Sequence, residues 1–275
     1  MRQNYLELMR KIGLIYTGGT IGMRQNESGK LAPMDFKGVT DRVPSLGLLP
    51  IEIVPVALAK PIDSSEMVPE VWTELIEVLE HMMDEVDGFV VLHGTDTMAY
   101  TACALSFMIQ GLQKPIIITG SQLPVGVLRT DAVENLVSAF EFAAMSNENG
   151  FPIIREVCIY FEYQLLRGNR AYKRSSNEFD AFSSPNFPAL ATSGVKIQLS
   201  SDLLWYCEGP IRYQKTISRN VGVITLYPGL NFDILPALPQ WRVLLIRTFG
   251  AGNAPKSQSF LKFLKRLEKN GTIIV

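Results

Sequence analysis

The sequence is poor in the residues that mark several common classes of protein. Its only cysteines, Cys103, Cys158 and Cys207, lie far apart in or near apolar segments, which argues against a disulfide framework and a Cys-His zinc site. Two histidines, His81 and His93, give little support to a Ser-His-Asp triad. No apolar run approaches the ~20 residues of a membrane-spanning helix. We therefore expect a cytoplasmic protein without a membrane segment.

Net charge is also nearly absent. The 26 basic residues are balanced by 27 acidic ones, which gives a net charge of -1. Nonspecific nucleic-acid binding relies on a positive surface, so this balance argues against such a partner and favours a small neutral or zwitterionic molecule. With 275 residues, of which 47% are apolar, the chain is long enough for one large domain and a smaller one.

Apolar, mostly β-branched runs alternate with helical patterns in the first two thirds of the chain. The predicted strands are residues 12–16, 52–58, 88–93, 115–119 and 157–161. Helical periodicity follows Pro69, Thr97 and Asp131. Fully apolar strands that alternate with helices predict an α/β fold, with a three-layer flavodoxin-like or Rossmann-like parallel sheet covered on both faces.

The pattern also suggests a division of the chain. We expect an N-terminal domain over residues 1–190, an interdomain segment over 191–219, where Pro and Gly interrupt the periodicity, and a smaller α/β domain over 220–275. The last residues read as a buried strand that stops at the chain end. We therefore expect the smaller domain to be incomplete.

A glycine-rich turn follows the first predicted strand and carries Thr20. Gly18 and Gly19 precede this threonine, and glycine permits sharp turns that expose backbone N–H groups to a bound oxygen. The pattern suits a nucleophile beside an oxyanion site, whereas its spacing fits neither the dinucleotide fingerprint nor the phosphate loop. The alternative is a plain turn in which threonine caps a helix.

Two further polar segments lie near predicted strand ends. Thr95 and Asp96 follow the third strand, where they could cap the next helix, relay a proton or pair with an ammonium group. Ser64 and Ser65 lie too early to cap a helix that begins at Pro69. We expect them either to bind a carboxylate or to lie in a solvated loop.

Lys173 and His93 are the remaining candidates. Lysine in a basic loop is usually solvated, but desolvation of Lys173 beside Thr95 would lower its pKa and let it accept a proton. His93 ends a strand just before the Thr95 segment. We expect it to be a hydrogen-bonded structural residue rather than a catalytic one.

Taken together, these segments resemble the bacterial-type L-asparaginases, specifically their cytoplasmic type I branch, with the carboxy-terminal part apparently missing. The matching motifs are residues 16–22, 63–67, 93–98, 167–170, 179–186 and 250–255. The likeness runs from about Ile12 to the end of the chain. It implies a cofactor-independent and metal-independent amidohydrolase that converts L-asparagine to L-aspartate and ammonia through a threonine acyl-enzyme.

The resemblance also assigns roles to individual residues. Thr20 matches the nucleophile, while Thr95, Asp96 and Lys173 match a second catalytic group that handles protons. Ser64 matches the ligand of the substrate α-carboxylate and Asp96 that of its α-ammonium.

Other matches extend or depart from that pattern. Asp63 and Ser65 complete the substrate-binding segment. Lys30 occupies the position where many relatives carry an activating tyrosine, so Tyr163, Tyr172 or a tyrosine in a missing tail could substitute. Arg247 falls where some cytoplasmic relatives bind asparagine as an effector, although a strand-end arginine is more often part of an ion pair.

The resemblance implies a homodimer or homotetramer, and Asn253 matches a position near the partner subunit's site. Two alternatives remain open. One is the amidase subunit of a tRNA-dependent amidotransferase, which uses similar motifs. The other is a noncatalytic amino-acid-binding protein that keeps the carboxylate and ammonium ligands without turnover.

Overall fold

The computed structural model describes residues 9–25, 31–33, 41–58, 60–235 and 241–275. Its helices are α1 Pro69–Met82, α2 Met98–Met108, α3 Ala132–Ala144 and α4 Gln258–Lys269. Its strands are β1 Arg10–Tyr16, β2 Met23–Gln25, β3 Leu31–Pro33, β4 Ile51–Ala57, β5 Gly88–Leu92, β6 Ile109–Gln110, β7 Ile116–Thr119, β8 Val157–Phe161, β9 Gln164–Arg167, β10 Tyr172–Lys173, β11 Phe182–Ser183, β12 Ala191–Thr192, β13 Gln198–Leu199, β14 Arg212–Tyr213, β15 Val221–Thr225, β16 Val243–Arg247 and β17 Ile273–Ile274.

An eight-stranded sheet organises the larger unit, in the order β13-β12-β9-β8-β7-β5-β1-β4. The five strands from β8 to β4 run parallel, and the other three form an antiparallel edge. Numbered along the chain, the parallel strands have the 2-1-3-4-5 order of flavodoxin-like folds. This arrangement confirms the predicted α/β class and adds an antiparallel edge that the sequence analysis did not include.

Apolar side chains on both faces of the sheet explain its three layers. Val90 and Leu92 of β5 pack in the core that includes α3, whereas Phe89 and Val91 pack in the core that includes α1 and α2. All four side chains are buried. Burial on both faces explains why these strands read as continuous apolar runs rather than alternating ones.

The predicted domain boundaries differ from the observed units. The chain divides into compact units Met1–Lys215 and Thr216–Val275. The expected interdomain segment 191–219 lies mostly in the first unit, because β12 pairs with β9 and β14 pairs with β6. Strand pairing with distant partners therefore places this Pro- and Gly-containing segment in the larger unit.

The smaller unit contains the parallel strands β15, β16 and β17 and the amphipathic helix α4. Ser257 caps this helix by accepting a hydrogen bond from the Phe260 N–H at 3.3 Å. The core of the smaller unit includes Leu244, Phe263 and Leu267. No helix in the described parts of either unit is long and apolar enough to cross a membrane.

The sheet order predicts where a ligand would bind in the larger unit. β4 lies on one side of β1, whereas β5, β7 and β8 lie on the other, so the switch point of the sheet is between β1 and β5. Ligands of such folds bind at this point, outside the carboxyl ends of the strands. The turns that follow β1 and β5 carry Thr20 and Thr95, respectively. The sheet topology and the sequence motifs therefore indicate the same residues, Thr20 and Thr95.

Candidate active site

The Thr20 turn is shaped by glycine. Gly18 and Gly19 have φ angles of 130° and 91°, a region that side chains rarely tolerate. A β-carbon at Gly18 would collide with the Ile62 carbonyl oxygen, and one at Gly19 would lie 2.5 Å from the Gly94 backbone nitrogen. Both positions therefore require glycine, because the backbones of Ile62 and Gly94 pack directly against them. Thr20 follows in a short 3-10 turn and is partly exposed.

Backbone contacts join this turn to the two other polar segments. The Thr17 N–H donates to the Leu92 carbonyl at 3.0 Å, and the Ile62 N–H donates to the Thr17 carbonyl at 2.8 Å. A β-carbon at Gly94 would lie 2.5 Å from the Ser64 hydroxyl oxygen. The segments that carry Thr20, Ser64 and Thr95 therefore lie against one another, as expected for a single site.

Lys173 forms the hydrogen-bonded centre of the second group. Its Nζ lies 2.8 Å from Thr95 Oγ1 and 2.7 Å from Asp96 Oδ1. The Lys173 side chain is 15% exposed, whereas Asp96 is 63% exposed and can also face a ligand. The lysine lies on β10, which pairs with β11 in a short hairpin. Contact between Lys173 and Thr95 was a hypothesis from the sequence, and the structure shows it. The distance suits proton exchange between the amine and the hydroxyl.

The helix-capping interpretation of this segment is wrong. Thr97 is the N-cap residue of α2, but its side chain makes no capping hydrogen bond. Its hydroxyl donates to the Ser64 carbonyl at 2.7 Å instead. Thr95 and Asp96 bind Lys173, so the polar side chains at this helix start connect segments of the site rather than satisfying the helix end.

Residues 63–66 form a capped 3-10 turn before α1. Asp63 Oδ1 accepts hydrogen bonds from both the N–H and the hydroxyl of Ser65, each at 2.9 Å. These donors lower the pKa of Asp63. The prediction that both serines are free to bind a carboxylate therefore needs correction, because Asp63 already accepts from the Ser65 hydroxyl. Ser64 is buried, with its side chain against Gly94.

His93 has a structural position, in keeping with its exclusion from the catalytic residues. Its Nδ1 lies 2.7 Å from the Gly94 carbonyl, which can only accept, so Nδ1 carries the hydrogen. Nε2 then accepts from the Thr101 hydroxyl at 2.8 Å, and that oxygen accepts from Trp72 Nε1 at 3.0 Å. Burial lowers the pKa of His93 to about 4. A neutral imidazole therefore fixes the peptide that precedes Thr95.

The identity of the hydroxyl that activates Thr20 stays a prediction. Lys30 lies outside the described residues, while Tyr163 and Tyr172 are exposed residues of hairpins. Tyr16, which was not among the predicted residues, places its hydroxyl 3.5 Å from the Gly19 carbonyl and its ring beside Gly22. Burial raises its pKa to about 12, so Tyr16 supports the turn as a neutral phenol.

Other candidate features lie elsewhere in the chain. Arg247 ends β16 in the smaller unit, where its side chain is exposed and its carbonyl accepts from the Leu226 N–H at 2.9 Å. Asn253 forms a backbone bridge with Phe249. No group of three or more His, Cys, Asp or Glu side chains in the described ranges could hold a metal ion.

A cavity of about 430 Å³ lies near the C-terminal end of α2, away from the Thr95 segment at its start. Arg155 and Arg167 line it, but both are already hydrogen-bonded, to Gln113 and Glu156 respectively. The cavity is therefore distinct from the candidate active site, and its two arginines are already paired with protein groups.

Comparisons with known proteins agree with this geometry. Residues 11–204 match the family described as Asparaginase, N-terminal. The chain is 39% identical to L-asparaginase 1 of Escherichia coli K12 over 97% of its length and 78% of that protein. It is also 35% identical to the mouse 60 kDa lysophospholipase over 97% of the chain, which spans about half (51%) of that protein.

A solved structure gives the same result. The crystal structure of L-asparaginase I from Vibrio cholerae superposes with a TM-score of 0.83 at 36% identity. The match covers 96% of this chain and 80% of the other. Sequence and structure both match type I asparaginases, and the chain belongs to the asparaginase family.

Proposed function

We propose that this protein is an L-asparaginase, an amidohydrolase that converts L-asparagine to L-aspartate and ammonia. The observation that carries the proposal is the hydrogen-bonded group of Lys173, Thr95 and Asp96 beside the glycine turn that presents Thr20. Membership of the asparaginase family supports the same reaction. The arrangement contains a nucleophile and a group that exchanges protons, as acyl transfer requires.

In the proposed mechanism, Thr20 Oγ1 attacks the side-chain amide carbon of asparagine. Backbone N–H groups near Thr20 and Thr95 stabilise the oxyanion, each by about 3 kcal/mol. The proton released by the Thr20 hydroxyl is passed to the amide nitrogen. The C–N bond then breaks, ammonia leaves, and an ester to Thr20 remains. Water attacks this ester to release L-aspartate and restore the threonine hydroxyl. Lys173 and Thr95 exchange the protons that these steps require.

Substrate recognition uses opposite charges at the two ends of the amino-acid group. The Ser64 hydroxyl donates to the α-carboxylate. Asp96 uses one oxygen for Lys173 and its exposed remainder for the α-ammonium, a charge-assisted hydrogen bond. Asp63 keeps Ser65 in place within the same turn, and Thr95 borders the bound amide. These contacts align the amide carbon for attack by Thr20.

The wider biological setting belongs to the same proposal. We place the enzyme in the cytoplasm as a homodimer or homotetramer, with Asn253 near a partner subunit and Arg247 as a contact for an asparagine effector. Light scattering across a concentration series tests the assembly. Asparagine saturation curves for wild type and Arg247→Ala test the effector, because loss of sigmoidal kinetics in the variant is expected.

A coupled ammonia assay on L-asparagine, L-glutamine and D-asparagine tests the reaction itself. We expect L-asparagine to give the highest kcat/KM. Ammonia release that requires a glutamyl-tRNA acceptor would instead identify the amidase subunit of an amidotransferase. Equilibrium binding of L-aspartate without ammonia release from any substrate would identify a noncatalytic binder.

A further inference from the structure

Gln122 joins the two segments that carry the proton-exchanging pair. It lies just after β7, the neighbour of β5 in the sheet. Its Oε1 accepts a long hydrogen bond of 3.3 Å from the Thr95 hydroxyl, and its Nε2 donates to the Glu178 carbonyl at 3.0 Å. Glu178 lies in the connection between β10, which carries Lys173, and β11. One side-chain amide therefore contacts the Thr95 segment and the Lys173 hairpin together.

A buried carboxylate fixes the backbone of Gln122. Asp131 accepts from the Gln122 N–H at 2.9 Å and from the Leu123 N–H at 3.1 Å. Asn135 donates to Asp131 at 3.2 Å and to the Gly120 carbonyl at 3.0 Å. The first turn of α3 therefore holds the segment from which the Gln122 side chain projects. Packing and hydrogen bonds of this kind lock the rotamers of an active site.

The hairpin end of the connection is fixed as well. Arg174 lies 2.6 Å from an Asp180 carboxylate oxygen and 3.5 Å from one of Glu178. Its Nε also donates to the Asp180 carbonyl at 2.9 Å. The carbonyl that receives the Gln122 amide is therefore part of an ordered loop.

The hydrogen-bond directions define what the amide does. A threonine hydroxyl has one hydrogen and two lone pairs. Thr95 gives its hydrogen to Gln122 and accepts from Lys173, which leaves one lone pair for a further donor. Proton exchange with Lys173 requires the hydroxyl hydrogen to rotate away from Gln122, and a bond of 3.3 Å is weak enough to permit this.

We infer that Gln122 is a positioning residue for the Thr95–Lys173 pair: it sets the rotamer of the Thr95 hydroxyl and the distance of the Lys173 hairpin from it. This inference rests on the proposed function. It predicts that loss of the amide slows proton exchange more than it weakens substrate binding. It also predicts that a charge at the same atoms changes the pH dependence of turnover.

Three variants test the inference. Gln122→Met removes the amide at similar length, and Gln122→Glu retains an acceptor while adding negative charge. Gln113→Met is the matched control, because the Gln113 amide also bonds two carbonyls and a side chain, at 2.7 Å from Cys207, 3.3 Å from Gly111 and 3.3 Å from Arg155. These three hydrogen-bond partners include neither Thr95 nor the Lys173 hairpin.

For Gln122→Met we expect kcat to fall about tenfold with KM for L-asparagine changed less than about twofold. Gln122→Glu should move the kcat–pH profile toward higher pH, because negative charge beside the pair favours its protonated form. Gln113→Met should change neither. An unchanged kcat and pH profile in both Gln122 variants, or equal changes in Gln113→Met, would overturn the inference.

A readout without turnover separates this inference from the proposed function. The lysine side-chain NMR signal of Lys173, assigned by its absence in Lys173→Met, should shift in Gln122→Met and stay in place in Gln113→Met. If wild type releases no ammonia, the proposed function fails while this comparison still decides the role of Gln122. An unshifted Lys173 signal in Gln122→Met would reject the positioning role.

Discussion

The two threonine-bearing turns of the site are held in different ways. The Thr20 turn is fixed by main-chain packing, in which Gly18 and Gly19 allow direct approach to Ile62 and Gly94. The Thr95 segment is held by side-chain hydrogen bonds, among them those of His93, Lys173 and Gln122. Steric fit therefore defines one half of the site, and polar contacts define the other.

This difference separates stability from proton chemistry. A glycine substitution at the first turn should disturb folding, because neighbouring backbone would have to move. A substitution among the polar groups of the second segment should change turnover while leaving the core intact. The Thr20 hydroxyl itself belongs to neither support, so its removal should affect chemistry alone.

Thr20→Ala should have the largest effect on activity. Loss of the attacking oxygen should lower kcat by at least about 10⁴-fold, since covalent catalysis then has no acceptor for the acyl group. Stability should match wild type within about 0.5 kcal/mol, because Thr20 is partly exposed and the change removes few atoms. Ammonia release is the measurement, and the exposed Thr192→Ala on β12 is the control. Equal activity of Thr20→Ala and wild type would reject the nucleophile.

Lys173→Met should come next, with kcat reduced by about 10³-fold, within the range of general acid–base catalysis. Calorimetric binding of L-aspartate should persist, because Ser64 and Asp96 remain. Lys196→Met, at an exposed position, serves as the control. Loss of folding in place of loss of turnover would assign Lys173 a structural role instead.

Gly19→Ala tests the backbone half of the comparison. The added β-carbon would meet the Gly94 nitrogen at 2.5 Å, at a φ of 91° that alanine disfavours. Strain and overpacking together should lower the free energy of unfolding by about 4 kcal/mol, measured in urea. Gly47→Ala should be nearly neutral, because a β-carbon there meets nothing within 4 Å. Similar losses in both variants would contradict the packing argument.

A pH titration of stability tests the polar half. Burial lowers the pKa of His93 from 6.5 to about 4, so between these values the unfolded chain binds a proton that the folded chain does not. This contribution to stability is complete above pH 6.5 and is lost as the pH falls toward 4. It amounts to about 2 kcal/mol between pH 7 and pH 5.

Urea unfolding of wild type and His93→Gln at both pH values isolates this contribution. The variant should start less stable but lose about 2 kcal/mol less on acidification. Identical losses would show that His93 does not account for the pH dependence. Should the variant not fold, NMR of the imidazole ring in wild type gives the answer, because no protonation is expected above pH 5.

The parallel core could be predicted from sequence because each strand is an uninterrupted apolar run. The antiparallel edge could not. The turn between β8 and β9 is formed by Glu162 and Tyr163, with φ angles of 42° and 64°, where Asn-Gly is the usual signal. A tertiary contact supports it, since Asn135 Oδ1 accepts from the Glu162 N–H at 3.0 Å. Local sequence patterns cannot predict such a contact, because its partners are 27 residues apart in the chain.

The site divides along the same line. Thr20, Thr95 and Lys173 could be singled out because their motifs are specific and the resemblance orders them. Gln122 was missed because its contacts with Thr95 and Glu178 depend on the strand order. Tyr16 was missed because its contacts with Gly19 and Gly22 arise from the shape of the glycine turn. A useful signal was present for Gln122, which follows Gly120 and Ser121 at the end of another apolar strand.

The facing glycines, Gly19 and Gly94, have a consequence for engineering. Their backbones pack together with no room for a β-carbon at either position, between the segments that carry Thr20 and Thr95. Libraries aimed at new amide substrates should therefore keep both glycines and vary the polar residues around them. A paired randomisation of the two positions should recover glycine at both, whichever substrate is used for selection.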